Sequence, residues 1–286
     1  MTRILITVLV GAALSGILGY LLIPVLRALK AGQSIREIGP SWHNKKAGTP
    51  MMGGLMFIFA AVLCLLGNLP AMTDYTVWYV LILSLSFGLI GFLDDFCKAK
   101  YKRNLGLTSL QKALLQMAVS ALYVYLLYRQ GTLTCDIYIP FVGVSFYIHP
   151  LLYVFFAMFV MVGCDNAVNI TDGIDGLCGS VTIPVMLFFA AAAVAMGKYD
   201  LALLPAALDM PLILIPVGLV YIVETLSVIM QVGYFKLTHG KRIFKMAPIH
   251  HHFEMCGWKE VKIVLIFSAV SAVMCVLAWI GISGRI

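Results

Sequence analysis

Eight long apolar runs restrict the fold of this 286-residue chain more than any other feature of its sequence. Each is close to the roughly 20 residues that a helix needs to cross the hydrocarbon core of a bilayer. An open strand edge cannot satisfy its backbone groups in lipid, so we expect every run to be a helix. The predicted spans are residues 4–29, 51–70, 76–93, 110–128, 150–168, 177–197, 210–232 and 260–281.

The composition agrees with a chain whose main solvent is lipid. Apolar residues make up 62% of the sequence, charged residues only 12%, and the mean hydropathy is +0.97. These values exclude a disordered chain and a secreted disulfide scaffold. The seven cysteines form no C-x-x-C pair, so we expect them to be reduced. The predicted fold class is all-α, a polytopic membrane protein with a single domain over residues 1–286.

The basic residues predict the orientation of the chain. Sixteen of the 20 Lys and Arg residues fall on one side of the predicted spans. By the positive-inside rule that side is cytoplasmic, and the even number of spans then places both termini outside. Orientation and contact with anionic lipid alone explain much of this charge. The expected cytoplasmic loops are approximately residues 30–50, 94–109, 165–176 and 233–259.

Asp94 and Asp95 lie side by side where the third predicted span meets the cytoplasm. Adjacent carboxylates at a membrane boundary repel each other and lose hydration, so they are unfavourable without a cation between them. Mg²⁺ binds one or two carboxylates together with substrate phosphate oxygens. The alternative is a solvated helix end beside a run of lysines, and we favour the magnesium site.

Residues 165–176 form a second polar segment, with three aspartates, two asparagines, two glycines and no Lys or Arg. Glycine permits tight turns, which lets carboxylates and amides converge on one ligand. The segment lacks the ligand spacing and the closing Glu of a calcium-binding EF-hand loop. A plain turn between two spans is the alternative interpretation.

The last predicted cytoplasmic loop holds four of the six histidines, three of them consecutive at His250, His251 and His252. Consecutive residues cannot all face one point in regular structure, so at most two should contact a ligand. A zinc site is only weakly indicated, because no cysteine lies at ligand spacing. Imidazoles close to Lys241 and Arg242 suit a pyrophosphate, which develops negative charge as it is cleaved.

Acidic, cationic and histidine elements therefore gather on the predicted inner face. This arrangement points to metal-assisted phosphoryl transfer at the membrane surface. A channel or transporter is the other class, but it requires polar groups near the middle of the bilayer, and here they cluster at the helix ends. Glu224 lies inside a predicted span, where we expect it to have a structural partner.

At these motifs the sequence resembles the bacterial phospho-N-acetylmuramoyl-pentapeptide transferases, within the superfamily of polyprenyl-phosphate N-acetylhexosamine 1-phosphate transferases. The aspartate pair fits the whole superfamily. The segment Met246–Glu254, which reads MAPIHHHFE, is much more specific and points to the muramoyl branch. The resemblance covers nearly all of the chain in the same order. The matching stretches are residues 48–54, 94–107, 166–176 and 240–254.

The resemblance implies transfer of phospho-MurNAc-pentapeptide from UDP-MurNAc-pentapeptide to undecaprenyl phosphate, which gives UMP and lipid I in peptidoglycan synthesis. It also implies a Mg²⁺ cofactor, a homodimer, and a multi-pass location in the bacterial cytoplasmic membrane with a cytoplasmic active site. No nucleic-acid partner is expected. Asp94 or Asp95 either deprotonates the lipid phosphate for direct attack or itself forms a covalent intermediate. We favour direct attack because it needs no extra step.

The resemblance also assigns roles to individual residues. Asp94, Asp95, Asp172 and His250 fall at catalytic positions, and the first two are also the expected metal ligands. The positions that match substrate-binding residues are Lys46, Lys98, Lys102, Asn166, Asn169, Gly173, Ile174, Asp175, Gln231 and His251.

One family motif is missing. The family carries a cytoplasmic Phe-Met-Gly-Asp-Thr-Gly-Ser sequence, whose aspartate binds magnesium, flanked by about two further spans that bring its total to ten. It should lie between Ser180 and Glu224, but the short apolar run 201–208 continues through Asp209, on the predicted outer side, into the next span. We interpret the run as the remnant of a lost helix, which puts metal binding in doubt. The alternatives are a sister enzyme that uses UDP-GlcNAc and an inactive relative that only binds lipid or nucleotide.

Overall fold

The computed structural model describes residues 2–28, 52–68, 76–101, 106–133, 135–195 and 210–284. Helices account for most of these residues. In chain order they are α1 (Thr2–Ala28), α2 (Gly54–Asn68), α3 (Thr76–Tyr101), α4 (Ser109–Arg129), α5 (Pro150–Thr171), α6 (Leu177–Ala195), α7 (Leu214–Val217), α8 (Leu219–Leu237), α9 (Ile249–Met255) and α10 (Glu260–Ile282). Two short strands, β1 (Asp136–Ile139) and β2 (Val144–Tyr147), separate α4 from α5.

Seven helices in the described part of the chain are long and apolar enough to cross a membrane: α1, α3, α4, α5, α6, α8 and α10. The one predicted span not among these seven is 51–70, which corresponds to α2; this helix is equally apolar but has only 15 residues. Every predicted apolar run therefore coincides with helix. The prediction of an all-α, multi-pass membrane protein is confirmed.

The run predicted as one helix over residues 210–232 is divided in the structure. It begins with a 3₁₀ turn at Pro211–Ile213, continues as α7 and restarts as α8 at Leu219. Proline cannot donate a helical hydrogen bond, which weakens the first turns of this run. Gly218 separates the two helices, and a Cβ added there would lie 2.6 Å from the carbonyl oxygen of Leu214. The spanning part of the run consequently begins after this break.

Two helices extend further into the polar segments than their apolar runs predict. Helix α3 ends at Tyr101 rather than near residue 93, so Asp94 and Asp95 lie within it. Lys98 forms ion pairs with both aspartates at helical spacing, and such pairs stabilise a helix. Helix α5 likewise continues to Thr171, which leaves only a short turn before α6.

The two strands form an antiparallel hairpin that the apolar pattern did not predict. Phe141 lies in its turn with φ of 69°, a left-handed conformation that is uncommon for a residue with a side chain. Its backbone N–H donates a hydrogen bond of 3.0 Å to the carbonyl oxygen of Gly281. A Cβ at Gly281 would lie 2.8 Å from the Phe141 ring, so glycine there lets the hairpin approach the end of α10.

The chain divides into two compact units, Met1–Tyr123 and Val124–Ile286. In the first unit α2 packs against both α1 and α3. In the second unit α10 lies along α6, and α8 packs against α5, α9 and α10. The single domain over residues 1–286 stays a prediction.

The polar segments of the second unit pack against its buried core. One buried cluster joins residues of α5, α6, α8 and α10 to the turn that follows α5. Ile174 from that turn is 2% exposed and packs in this cluster with Leu177 and Ile263, which are both fully buried. Phe253 and Trp258 pack against the same cluster and stack on each other, with ring centroids 4.6 Å apart. The turn after α5 and helix α9 are therefore fixed to one core.

Candidate active site

Asp94, Asp95 and Lys98, here called the aspartate group, lie at the end of α3 in the first unit. Lys98 Nζ is 2.6 Å from Asp94 Oδ2 and 3.1 Å from Asp95 Oδ1, so one ammonium bridges both carboxylates. The side chain of Asp94 is 14% exposed and that of Asp95 is 35% exposed. Asp95 consequently presents more of its carboxylate to its surroundings.

The chain that follows α3 holds Asp94 in place. The backbone N–H of Leu107 donates a hydrogen bond of 2.8 Å to Asp94 Oδ1. Gly106 lies so close that an added Cβ would overlap the carboxylate and the carbonyl oxygen of Asp94. A capping box then starts α4: the Thr108 N–H donates to Gln111 Oε1 and the Gln111 N–H to Thr108 Oγ1. This cap fixes the backbone that reaches Asp94.

The aspartate group fits a hard divalent cation. Its two carboxylates already converge on one positive charge, that of Lys98. Mg²⁺ is commonly held by one or two carboxylates, with substrate phosphate oxygens or water as the other ligands. Among the described residues there is no cluster of three or more His, Cys, Asp or Glu side chains that could hold a metal. Oxygen atoms from outside these residues would therefore have to complete the coordination of Mg²⁺.

The asparagines of the second polar segment lie on the last turns of α5. Asn166 and Asn169 are three residues apart, which places them on the same side of the helix. Asn166 Nδ2 donates a hydrogen bond of 2.8 Å to the carbonyl oxygen of Val162 one turn earlier. Asn169 is exposed. Of the two, Asn169 has the more accessible side chain.

Asp172 ends α5 and Asp175 follows in the turn, and both side chains are exposed. Loss of hydration next to the protein raises the pKa of Asp172, and the negative charge of Asp175 raises this pKa further. The protonated form of Asp172 is therefore more favourable than in an ordinary surface aspartate. A carboxyl group tuned in this way suits proton transfer.

Gly173 and Ile174 serve the packing of this turn. The buried side chain of Ile174 anchors the turn in the core, so a contact of Ile174 with substrate would have to use its backbone. Gly173 approaches the histidines so closely that an added Cβ would overlap the His250 ring and lie 3.3 Å from His251 Nε2. No other residue type fits at position 173 without displacing these rings.

The histidine group consists of His250, His251, Glu224, Glu254 and Gly173, all in the second unit. His250 Nδ1 is 2.9 Å from Glu224 Oε2, and both side chains are fully buried. His251 Nδ1 is 2.5 Å from Glu254 Oε2, with side chains 15% and 2% exposed. The two imidazole rings contact each other, with centroids 4.2 Å apart. His250 and His251 thus each have their own glutamate, and of these two only His251 reaches the surface.

The third histidine faces away from Gly173. His252 Nδ1 accepts a hydrogen bond of 3.1 Å from the backbone N–H of Lys245, and its ring packs against that of Phe244. Lys245 Nζ donates a further bond of 3.1 Å to the carbonyl oxygen of Met255. His250 and His251 both lie close to Gly173, and the prediction that at most two of the three histidines contact a ligand stays a prediction. His252 stabilises the loop that precedes α9.

Gln231 also stabilises this loop. Its Oε1 accepts two backbone hydrogen bonds, of 3.1 Å from Ile243 N–H and 2.9 Å from Phe244 N–H. The side-chain oxygen is therefore directed at the loop rather than at an open surface. Direct substrate binding by Gln231 stays a prediction.

Two predicted site residues, Lys46 and Lys102, lie outside the described part of the chain, as does the run 201–208 with Asp209, which we interpret as the remnant of a lost helix. Leu107, Gly106 and Glu254 contribute to these groups although the sequence motifs predict no such role for them. Glu254 follows His251 by three residues on a helix, and this spacing alone could have identified the pair. The hydrogen bond from Leu107 to Asp94 joins residues thirteen positions apart in the sequence, and no local pattern predicts it.

Comparisons with known proteins agree with these features. Residues 77–221 match the family described as Glycosyl transferase family 4. A phospho-N-acetylmuramoyl-pentapeptide-transferase of Clostridium acetobutylicum is 40% identical over 318 positions, which cover 98% of this chain and 99% of the relative. Proteins of the same name from Clostridium perfringens and Clostridium botulinum are each 41% identical, over 97% and 98% of this chain and 98% and 96% of their own lengths.

These alignments are also longer than the chain. They extend over 318 and 324 positions, whereas the chain has 286 residues. The relatives therefore contain residues without a counterpart here, as expected if an internal segment is missing. The similarity nevertheless covers almost the entire chain. The chain belongs to glycosyl transferase family 4 and, within it, to the phospho-N-acetylmuramoyl-pentapeptide transferases.

Proposed function

We propose that this chain transfers phospho-MurNAc-pentapeptide from UDP-MurNAc-pentapeptide to undecaprenyl phosphate and releases UMP. The observation that carries the proposal is the near-full-length similarity to transferases of that name. The bridged carboxylates of Asp94 and Asp95 support it, because phosphoryl transfer requires positioning and neutralisation of charge more than covalent chemistry. The reaction builds a lipid-linked precursor of peptidoglycan.

In the proposed reaction an oxygen of the lipid phosphate attacks the sugar-linked phosphorus of the donor, and UMP leaves with the bridging oxygen. Asp95, the more exposed of the pair, accepts the proton of the lipid phosphate. Asp94 is oriented by Leu107 and holds the cation site with Asp95. Mg²⁺, when bound by these two carboxylates, would neutralise charge on the phosphate oxygens. Direct attack accounts for transfer without a phospho-enzyme.

We propose a location in the bacterial cytoplasmic membrane, with the aspartate and histidine groups on the cytoplasmic side. The distribution of the 20 basic residues supports this orientation, because most of them lie on the side of these groups. The proposed assembly is a homodimer, which rests on the family resemblance alone.

A second candidate is an inactive relative that binds lipid or nucleotide without turnover. The observation that favours it is the absence from the sequence of the family's Phe-Met-Gly-Asp-Thr-Gly-Ser motif. The excess length of the alignments agrees with such a loss. Without the aspartate of that motif, Asp94 and Asp95 would have to hold Mg²⁺ with only substrate oxygens and water as further ligands.

The test is Mg²⁺-dependent release of UMP by the full chain in detergent with undecaprenyl phosphate. UDP-MurNAc-pentapeptide and UDP-GlcNAc are offered in parallel, and Asp95→Asn serves as the blank. Release from the muramoyl donor alone is the expected result. Release from UDP-GlcNAc alone would instead assign the chain to the sister enzymes. No release from either donor, together with turnover once the missing segment is inserted, would identify an inactive deletion form.

A further inference from the structure

We infer that Glu224 is a positioning residue of this enzyme: it fixes the ring of His250 so that Nε2 faces Gly173. This inference rests on the proposed function only for its kinetic consequence. The geometric part concerns which imidazole nitrogen carries a proton, and it is tested separately.

Glu224 and His250 form a buried pair. Glu224 lies on α8, a membrane-spanning helix, and its side chain is fully buried, as is that of His250 from α9. A carboxyl group inside a span is unfavourable unless a partner or a function compensates for the loss of hydration. An apolar residue at this position would pack more favourably if the only need were stability. The pair is therefore expected to serve a purpose beyond holding α8 against α9.

The direction of the hydrogen bond between Glu224 and His250 determines which ring nitrogen carries a proton. Glu224 Oε2 lies 2.9 Å from Nδ1 of His250. In the proposed arrangement Glu224 is the acceptor of this hydrogen bond, as a carboxylate has to be, and the imidazole carries its proton on Nδ1. This contact selects one tautomer of the neutral ring, in which Nε2 is an acceptor.

Nε2 of His250 faces Gly173. A Cβ at Gly173 would overlap this nitrogen, so Nε2 is aimed at the backbone of the turn that carries Asp172 and Asp175. Nε2 is buried and has no hydrogen-bond partner among the described residues, and the same is true of Glu224 Oε1. Buried polar atoms are normally paired, and exceptions in a folded protein call for an explanation. We explain the unpaired Nε2 of His250 by its role: Glu224 holds this nitrogen in a fixed direction at the edge of the turn.

A second histidine–glutamate pair, His251 and Glu254, lies next to the first. His251 contacts the His250 ring and is itself held by Glu254. The two rings and their glutamates thus repeat one arrangement, in which a buried carboxylate orients an imidazole through Nδ1. Glu224 supports the inner, fully buried member, and the ring of His250 supports the partly exposed His251. Loss of Glu224 should therefore change the orientation of both histidines relative to Gly173.

The experiment compares four proteins in detergent: the wild-type chain, Glu224→Leu, Glu224→Gln and Tyr221→Phe. Leucine removes the acceptor, whereas glutamine keeps an acceptor oxygen at the same place. Tyr221 lies one turn earlier on α8, and its hydroxyl pairs with that of Thr182 at 2.7 Å. Its substitution therefore removes a polar contact of the same helix away from the histidines. Nitrogen NMR of ¹⁵N-labelled histidine reports the protonated nitrogen of His250, assigned with His250→Gln.

The wild-type spectrum is expected to show a proton on Nδ1 of His250. Glu224→Leu should give mixed tautomers and lower kcat by about tenfold or more, the scale of losing an outer partner of a functional histidine. KM for the donor should change less than kcat. Glu224→Gln should restore the Nδ1 proton and part of kcat, and Tyr221→Phe should leave both unchanged.

Two results would overturn the inference. A wild-type His250 with a bare Nδ1 would do so without any variant. Equal kcat and equal His250 spectra in Glu224→Leu and the wild type would do so as well. If the wild-type chain shows no turnover, the proposed function fails, but the spectrum still decides whether Glu224 sets the tautomer of His250.

Discussion

Asp94 and Gly106 are in such close contact that no side chain fits at position 106. The contact brings the next backbone N–H, that of Leu107, to 2.8 Å from Asp94 Oδ1. A loop residue thus determines the orientation of a carboxylate on the preceding helix. The aspartate group is held from two directions, by Lys98 on its own helix and by the backbone that leads into α4.

Gly106→Ala should therefore lower turnover strongly while the helices remain folded. The new methyl group would push the loop away from Asp94, and displacement of a catalytic group by about 1 Å can reduce a rate by roughly 100-fold. Gly91→Ala is the matched control, because a Cβ at Gly91 on α3 meets no atom of the described residues within 4 Å beyond its own helix backbone. Initial rates of UMP release and thermal unfolding of both variants test this. Wild-type rates in Gly106→Ala would contradict the assigned role of the loop.

Replacement of Lys98 by Met should lower the Mg²⁺ concentration needed for half-maximal activity, even if the maximal rate falls. The ammonium of Lys98 occupies the point at which both carboxylates converge, so it competes with a metal for them. Stability should change by only about 0.5 kcal/mol, because the pairs are partly exposed. Lys100→Met is the control, since the Lys100 ammonium lies over the rings of Phe96 and Tyr101 instead. A Mg²⁺ titration in which Lys98→Met needs more metal than the wild type would show that Lys98 does not compete.

Asp172→Asn should stabilise the folded chain while it lowers turnover. Loss of hydration and then the charge of Asp175 raise the pKa of Asp172, so the folded state holds this proton more tightly than the unfolded state does. Its contribution to the free energy of unfolding is therefore favourable at low pH and falls as pH rises through the raised pKa. Asparagine removes the charge, and we expect a gain of about 0.5 kcal/mol at neutral pH, the usual range for a surface substitution.

Thermal unfolding of the wild type and Asp172→Asn at a series of pH values measures this effect. The stability difference between them should be largest above the raised pKa and should vanish below the ordinary pKa of an aspartate. Asp175→Asn, which removes one cause of the shift, should move the transition to lower pH. If Asp172→Asn is less stable than the wild type at neutral pH, the result contradicts the upward shift of the Asp172 pKa.

The sequence predicted the helices because each depends on a local property, the length of an apolar run, and because an open strand edge cannot satisfy its backbone groups in lipid. It did not predict the ends of α3 and α5, because those ends depend on polar contacts such as the ion pairs of Lys98. The hairpin was missed because its turn is held by a distant residue, Gly281, through a backbone hydrogen bond.

In the candidate site, too, the sequence predicted what depends on local residue types but not what depends on contacts between distant elements. The residue types and spacings of Asp94, Asp95 and the three histidines identified the two groups, since such polar clusters are unfavourable at a membrane without a ligand. Which glutamate holds which histidine depends on how α8 and α9 pack. The pairing of His250 with Glu224, 26 residues earlier in the chain, therefore required the structure.

The loop before the histidines should become sensitive to protease when Gln231 is replaced by Leu. Its side-chain oxygen accepts the backbone N–H groups of Ile243 and Phe244, and each lost hydrogen bond costs about 1 kcal/mol. Lys241, Arg242 and Lys245 are exposed trypsin sites in the same loop. Gln231→Glu keeps an acceptor oxygen at this position and should remain protected, so digestion rates of the two variants separate loss of the contact from loss of the residue. Cleavage of Gln231→Leu at the wild-type rate would mean that the hydrogen bonds of Lys245 to His252 and Met255 are sufficient to hold the loop.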